Sequence, residues 1–469
     1  MSAIIPCILS GGAGSRLWPL SRQTMPKQFL RIFDGESLFQ KTVERVSGEA
    51  FSAPLVIANE AHRFMAGEQL AEAGVEPRAI VLEPFGRNTA APAALAALIA
   101  AETARDALVL LLPSDHLIRD TNAFLNAVES ARPAAEAGRI VTFGITPDRA
   151  HTGYGYIRLG EGTDCVFDVA AFIEKPDKAR AQAFLASGDH VWNSGIFLFS
   201  ARTMLRAFEK HAPGVLDAVR SAHENGREDL DFLRLDADAF AKADNISIDY
   251  AIMEQADNIA CVPMDPNWSD LGAWSAVWEI LDKDEAGNST LGEALFVDAS
   301  DNLVVSDDAV VAMVGLRDVM VVSTKDAVLV AAKDKAEDVK AIVQRLDNDK
   351  RRETRRHRRV YRPWGWREEI AAHARYHVQE IEIKPGKSLS LQSHVHRAEH
   401  WVVVSGTLEI EIEGAKRFLS ENQSAFVPIG AHHRLANPGL IPARLIEVQS
   451  GAHISEEDIT RHDGGEGAS

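Results

Sequence analysis

Over its first 145 residues the chain alternates short apolar runs with helix-length segments, and this alternation leaves few folds open. Residues 3–9 read as a buried strand that runs into a glycine-rich turn at Gly11, Gly12 and Gly14. Ser37–Val46, Ala61–Ala73, Thr89–Ala104 and residues 122–137 carry helical patterns, whereas Leu55–Ala58, Ile80–Leu82, Ala107–Leu112 and Ile140–Phe143 read as strands. Strands separated by helices of this length predict an α/β, Rossmann-like domain with a mostly parallel mixed sheet covered on both faces. Ligands of such sheets sit at the carboxyl ends of the strands. Those ends carry the loops 10–16, 83–90 and 113–116.

The texture changes near residue 285. Residues 291–333 hold short Val-rich strands broken by Asp, Asn and Gly, Lys335–Leu346 reads as a helix, and 347–359 as a charged, exposed linker. Its arginine cluster is either a solvated face or a docking surface for an acidic neighbour. From Arg362 onward alternating strands, with turns at Pro385-Gly386, Glu413-Gly414 and Pro438-Gly439, predict an all-β barrel. The expected division is therefore 1–285, a small β module with a linker helix at 286–350, and a barrel at 351–469, before a Gly/Ser tail expected to be disordered.

A formal net charge of −18 disfavours nucleic acid as a partner. Three cysteines, Cys7, Cys165 and Cys261, are odd in number and far apart, which fits reduced thiols in a cytoplasmic protein. No apolar stretch is long enough to span a bilayer, and the N-terminal strand lacks the basic region and cleavage site of a signal peptide. The expectation is a cytoplasmic protein without a membrane partner.

The glycine turn lets backbone N–H groups approach phosphate oxygens. It lacks the Gly-Lys-Ser/Thr of a P-loop and the spacing of a dinucleotide fingerprint. Arg16, inside the loop after Ser15, and Lys27, in Pro26-Lys27-Gln28-Phe29, add two cations suited to a triphosphate and its pyrophosphate leaving group.

Gly11-Gly-Ala-Gly-Ser-Arg-Leu-Trp-Pro-Leu-Ser-Arg, continuing to Pro-Lys-Gln-Phe, resembles the signature of mannose-1-phosphate guanylyltransferases. The Leu-Trp-Pro-Leu-Ser-Arg wording separates these from glucose-1-phosphate relatives. Further blocks follow in the family's order: Glu83-Pro-Phe-Gly-Arg-Asn-Thr-Ala, Pro113-Ser-Asp-His, Thr152-Gly-Tyr-Gly-Tyr-Ile, Phe172-Ile-Glu-Lys-Pro, Trp192-Asn-Ser-Gly-Ile-Phe, Ser247-Ile-Asp-Tyr-Ala and Trp268-Ser-Asp-Leu-Gly. The resemblance implies that GTP and mannose 1-phosphate are the substrates. It implies that Asp115 and Asp270 hold Mg2+ against the phosphates; their plain alternatives are a helix N-cap and a turn. Glu83, Arg87 and Asn88 follow a strand end that the family assigns to the guanine base, and Asn59 is either a further candidate of that kind or a turn former. Glu174, Lys175, Asn193 and Gly195 resemble the sugar-phosphate pocket, with Lys175 on the phosphate and Glu174 on sugar hydroxyls. Tyr154, Gly155 and Asp249 are further candidates for its lining.

The C-terminal segment resembles a cupin. Gly386 is followed after five residues by Gln392-Ser-His394, after four more by Glu399, and after six more by Gly406; Pro428-Ile-Gly430, His433 and Asn437 fit the second motif. This spacing favours Gln392, His394, Glu399 and His433 as metal ligands, with His396 in reserve, since 392, 394 and 396 share a strand face. A mixed N/O set suits Zn2+, Co2+ or Mn2+. Gln-x-His, in Leu391-Gln-Ser-His-Val-His-Arg-Ala-Glu-His-Trp, resembles phosphomannose isomerases fused to a mannose-1-phosphate guanylyltransferase, the type II phosphomannose isomerase family. That implies interconversion of mannose 6-phosphate and fructose 6-phosphate, with Arg397 on the phosphate or enediolate or else an exposed strand-turn residue, and a homodimer. Two departures bear on this half: Gln379 stands where the family commonly has Lys, and Arg461-His-Asp-Gly-Gly replaces the usual Asp-x-Tyr-Gly-Arg ending. An alternative is a barrel kept only for oligomerisation or stability.

Overall fold

The computed structural model describes residues 3–462 apart from 13, 34, 164 and 230, so the Gly/Ser tail lies outside the described residues. Its contacts divide the chain into two units, Met1–Thr354 and Arg355–Ser469.

At the centre of the first unit, β1 (Ile5–Ser10) lies parallel between β2 (Leu55–Asn59) and β4 (Leu108–Pro113), with β3 (Ala79–Glu83) parallel on the far side of β2. The intervening helices are α1 (Leu38–Arg45), α2 (Arg63–Glu72), α3 (Ala90–Thr103) and α4 (Thr121–Glu136). Local chemistry starts several of them. Ser37 and Gln40 form a reciprocal capping box on α1, and the Asp120 side chain accepts from Ala123 N on α4. Helix α3 is buried from Ala90 to Ala100 with little break, because its alanines let the sheet and the helices Ala201–His211 and Pro213–Glu224 approach closely.

Among the described residues the sheet has eleven strands and is mixed. Each antiparallel pairing involves a strand beyond Tyr156, after the stretch whose strands are legible from periodicity. The strand His190–Ser200 matters most: it runs antiparallel between β4 and Ile140–Ile145, with Trp192 opposite Ile145 and Asn193 opposite Gly144. Its reversed direction brings Asn193 and Gly195 to the edge where β1 and β4 end.

Residues 289–323 form stacked parallel coils, with Ser289–Leu291, Leu303–Ser306 and Val319–Ser323 in register, and Val328–Ala332 closes them antiparallel. Their inner ladder is amide-based: Asn302 Nδ2 donates to Asn288 Oδ1 at 3.0 Å, and Asn302 Oδ1 accepts from Val319 N at 2.9 Å. Leu303, Val305 and Met320 share a core with Leu17, Trp18 and Trp274. The buried Arg22 guanidinium forks onto both Asp326 oxygens at 2.8 and 2.5 Å, fixing the coils to the phosphate-loop segment.

In the second unit a six-stranded and a five-stranded sheet contribute Ile381, Trp401, Leu408, Ile410 and Leu435 to one core. The hairpin Thr407–Ile412/Ala415–Ser420 turns through Glu413 (φ 51°) and Gly414 (φ 77°), the paired positive φ values of a tight hairpin turn. Arg359, from the charged linker, lies over the Trp366 ring at 4.1 Å and pairs with Glu368, so that end of the cluster is not a solvated face. No helix among the described residues is long and apolar enough to cross a membrane.

Candidate active sites

The carboxyl ends of β1, β3 and β4 open into a cleft of about 380 Å3 whose lining includes Gly11, Gly12, Glu83, Asn88, Asp115, Gly195 and Asp249. The loop closes on Lys27. Gly14 has φ +58°, and a Cβ there would stand 2.4 Å from Lys27 Cβ, so only glycine lets the two segments pack. Lys27 is buried; its Nζ lies 2.9 Å from Asp115 Oδ2 and donates to the Asp270 carbonyl at 2.6 Å. One ammonium thus ties the end of β4 to the 268–270 segment. Burial acts to raise the Asp115 pKa, but the charges of Lys27 and His116 outweigh it and hold the carboxyl below its usual range. Asp270 Oδ1 accepts from Tyr154 OH at 2.7 Å and from Gly272 N at 3.0 Å. Tyr154 is stacked on His151 at 3.9 Å and meets Trp192 and Trp268 edge-on. Arg16 sits in the single turn Ser15–Leu17, 41% exposed, with Nε 4.0 Å from Glu337.

Glu83 ends β3 in a buried position, and its Oε1 has no hydrogen-bond partner. Burial pushes its carboxyl up to about 8, which favours the protonated form at neutral pH. Asn88 (φ 60°) lines the same cleft and accepts from Thr89 N. Two candidates are not brought in. Arg87 turns away, donating to the Ala241 carbonyl at 2.8 Å over the Phe85 ring, and Asn59 caps the turn Glu60–His62 by accepting from Ala61 N.

Beside the cleft, Lys175 (φ 44°) places Nζ 2.9 Å from Glu174 Oε1. Partial burial would lower the lysine pKa, but the Glu174 contact outweighs it and raises it. A Cβ at Gly155 would stand 2.5 Å from Glu174 Oε2, so this glycine leaves the room the carboxylate occupies. Asn193 Oδ1 accepts from Thr142 Oγ1 and Gly195 N, and its Nδ2 donates to Asp249 Oδ1 at 2.9 Å. Burial, then the Glu174 charge, pushes Asp249 up to about 6. Sequence reasoning passed over His116 and Gln28, although the Pro-Ser-Asp-His and Pro-Lys-Gln-Phe blocks contain them. His116 Nε2 lies 3.7 Å from Asp115 Oδ1 with its other nitrogen facing Trp268 Nε1, and Gln28 Oε1 is buried without a partner in the cleft wall.

The barrel gathers His394, Glu399 and His433, whose ligand atoms lie within 4.8 Å of one another. His394 Nδ1 donates to the Arg397 carbonyl and His433 Nδ1 to the Ala431 carbonyl, which turns both Nε2 atoms toward Glu399. His394 Nε2 is fully buried, 2.8 Å from Glu399 Oε1. Two imidazoles and a carboxylate converging in this way form a donor set that fits a divalent metal. Gln392 borders the group, with Nε2 3.4 Å from His433 Nε2. His396 does not join it: 55% exposed, it pairs with Asp458 at 2.7 Å. Burial would raise the Glu399 pKa, but His394 and His433 hold it below its usual range. Next to it, the buried Glu447 is raised by burial and by the Glu399 charge, and takes hydrogen bonds from Gln379, Gln449 and Trp401. The neutral Gln379 therefore meets a carboxyl that is itself driven toward neutrality. Arg397 is buried, donates to the Ser455 carbonyl at 2.7 Å, and keeps Nε 3.5 Å from Glu399 Oε1.

Family models agree with this layout. A nucleotidyl transferase model matches residues 5–287, a MannoseP isomerase/GMP-like beta-helix domain model 292–346, and a mannose-6-phosphate isomerase C-terminal model 349–464. Xanthan biosynthesis protein XanB of Xanthomonas campestris pv. campestris is 50% identical over 461 residues, 98% of each chain. A mannose-1-phosphate guanylyltransferase of Escherichia coli is 47% identical over 98% of each. Among solved structures, a protein titled mannose-1-phosphate geranyltransferase from Thermus thermophilus aligns with TM-score 0.67 and 33% identity, over 74% of this chain and all of its own. Mannose-6-phosphate isomerase from Helicobacter pylori aligns with TM-score 0.51 and 33% identity, over 57% of this chain and 99% of its own. The chain belongs to the nucleotidyl transferase family, among the mannose-1-phosphate guanylyltransferases that carry a mannose-6-phosphate isomerase domain at their C-terminal end.

Proposed function

We propose that the first unit joins mannose 1-phosphate to GTP, giving GDP-mannose and pyrophosphate, and that the barrel interconverts mannose 6-phosphate and fructose 6-phosphate. The observation that carries the first activity is the Lys27 ammonium held between Asp115 and Asp270 at the mouth of a cleft floored by an unpartnered Glu83. In this reading the phosphate oxygen of mannose 1-phosphate attacks the α-phosphorus of GTP in line, the new P–O bond forms, and the bond to the β-phosphate oxygen breaks as pyrophosphate leaves. Backbone N–H groups of Gly11 and Gly12 cradle the triphosphate. Arg16 and Lys27 neutralise the charge that gathers on the leaving group. Lys175 holds the phosphate of the acceptor, Glu174 takes its sugar hydroxyls, and Asn193 and Asp249 shape the floor beneath it. Tyr154 fixes the Asp270 carboxylate. Asp115, kept ionised, and Asp270 are hard oxygen donors of the kind Mg2+ takes, and a bound Mg2+ supplies further neutralisation of the phosphates.

The barrel reading rests on the buried convergence of His394, Glu399 and His433, a ligand set that a purely structural barrel has no reason to keep. A divalent ion such as Zn2+, Co2+ or Mn2+, held by Gln392, His394, Glu399 and His433, would polarise the sugar C1 and C2 oxygens. Arg397 faces the same space with its charge.

Glu83 gives a test with a defined sign. Buried at the end of its strand, it keeps a proton up to about pH 8. The guanine N–H donors favour its ionised form, so GTP binding must expel that proton. KM for GTP should therefore fall as pH rises from 6 to 8, by up to about tenfold per unit for one proton, and level off above. Glu83→Gln should flatten the profile and weaken binding. A wild-type KM that is flat over this range would remove Glu83 from base recognition.

A further inference from the structure

A second cavity in the first unit, of about 400 Å3, is lined by α1 and residues 117–121, with Lys41, Arg45, Leu117, Arg119 and Thr121 in its wall. Among the described residues none lines both this cavity and the substrate cleft. Arg45 sets its character. It is 6% exposed, and its Nε is buried without a hydrogen-bond partner. Among the described residues no carboxylate pairs with its guanidinium, which lies over the Phe124 ring with Cζ 5.7 Å from the centroid. Burial lowers its pKa to about 10, with no carboxylate to oppose it. A last-turn arginine suits the dipole of α1, yet no carbonyl among the described residues accepts from this one. A buried charge without a counter-charge is costly, and an anion in the cavity offsets that cost.

The rest of the wall decides which anion fits. Lys41 is engaged by Glu36 at 2.9 Å. Arg119 donates from Nη2 to the Ile280 carbonyl at 2.7 Å, and its other N–H groups have no acceptor among the described residues. Glu44, exposed, is the further carboxylate of the wall. Thr121 begins α4, a helix of 16 residues whose Asp120 cap takes the Ala123 N–H. Other N–H groups of that first turn have no acceptor within the helix, and they stand at its positive end. Two guanidinium forks and a helix N-terminus offer more donors than the two oxygens of a carboxylate can use. The three terminal oxygens of a phosphoryl group match them.

We propose that this cavity binds a phosphoryl group, as inorganic phosphate or as the phosphate of a monoester, held by Arg45, Arg119 and the first turn of α4. Such a site is independent of both activities proposed above. Its position gives it a consequence for the cleft. The strand Leu117–Ile118 continues from Asp115-His116 and pairs with Trp268–Ser269, which leads into Asp270. The N–H groups of Arg119 and Asp120 both donate to the Pro266 carbonyl. A ligand here braces the segments that carry Asp115 and Asp270.

Equilibrium dialysis of the full chain with radiolabelled inorganic phosphate, replacing chloride at constant ionic strength, counts the sites. Arg119→Ala should weaken one of them about tenfold or more. Glu44→Gln should tighten the same site about threefold. Arg45→Met should abolish it; should that variant fail to fold, Arg119→Ala, a change at an exposed residue, still reads the site. Arg417→Ala, exposed on the barrel hairpin, should change nothing. Phosphate bound in the first cleft or the barrel is common to all variants and drops out of the difference. Unlabelled glucose 6-phosphate is the second arm. Displacement of the Arg119-dependent phosphate shows that monoesters enter, and no displacement restricts the site to the free ion. Equal phosphate number and affinity in wild type, Arg119→Ala and Glu44→Gln would overturn the site.

Discussion

Lys27→Ala should lower turnover of GTP with mannose 1-phosphate by two to three orders of magnitude, about 3–4 kcal/mol of transition-state stabilisation. Lys27 is buried at the hinge of the site, 2.9 Å from the Asp115 carboxylate and 2.6 Å from the Asp270 carbonyl. Its loss removes a preorganised cation from the leaving phosphates and leaves Asp115 with His116 alone, whose own pKa burial lowers. Asp115 would then titrate at higher pH, because Lys27 is the foremost influence opposing its burial. The acid limb of the rate profile should move upward accordingly, and that shift distinguishes lost catalysis from simple unfolding. Lys27→Arg should not restore the rate: the stem lies against Gly14, and a planar guanidinium cannot reproduce the two contacts of the ammonium. A kcat within a few-fold of wild type would place Lys27 outside the chemistry.

Glu399→Gln should leave the barrel unable to retain a divalent ion and unable to interconvert the sugar phosphates. The carboxylate is the anionic member of the cluster, lying 2.8 Å from His394 Nε2 and 3.7 Å from His433 Nε2. An amide is a poor donor, so metal affinity should fall by about a hundredfold or more, beyond the 10–100-fold typical of lost supporting contacts. His396→Ala is the contrasting variant: exposed and paired with Asp458, it should keep its metal. Metal analysis after gel filtration reads both. Equal metal content in the two variants would contradict the assignment of the cluster.

Much of the first unit was legible because periodicity and strand ends are local. The segment read as the helix Thr89–Ala104 folds as α3, Ala90–Thr103, and the strand read at Ala107–Leu112 is β4, Leu108–Pro113. The reversed strand His190–Ser200 was not legible, since direction in a sheet is a tertiary property that alternation along one strand does not encode. In the barrel, face parity could not choose between Gln392/His394 and His394/His396. The structure answers by ending the strand at Ser393 and bending the chain at residues 395–396, so His396 leaves the face that parity assumed it shared. Asn59 and Arg87 sit next to informative blocks, yet the first is absorbed by a cap and the second by a carbonyl. The Arg45 cavity had no local signature either. Its guanidiniums come from α1 and from the turn before α4, which meet only through tertiary packing.

The central claim is tested most directly by 31P NMR of the full chain with GTP, mannose 1-phosphate and Mg2+. The account predicts that the coupled diphosphate signals of GDP-mannose and the pyrophosphate signal grow together in equal amounts, and only when both substrates are present. GTP left intact beside mannose 1-phosphate, or broken down at the same rate without it, would contradict the account.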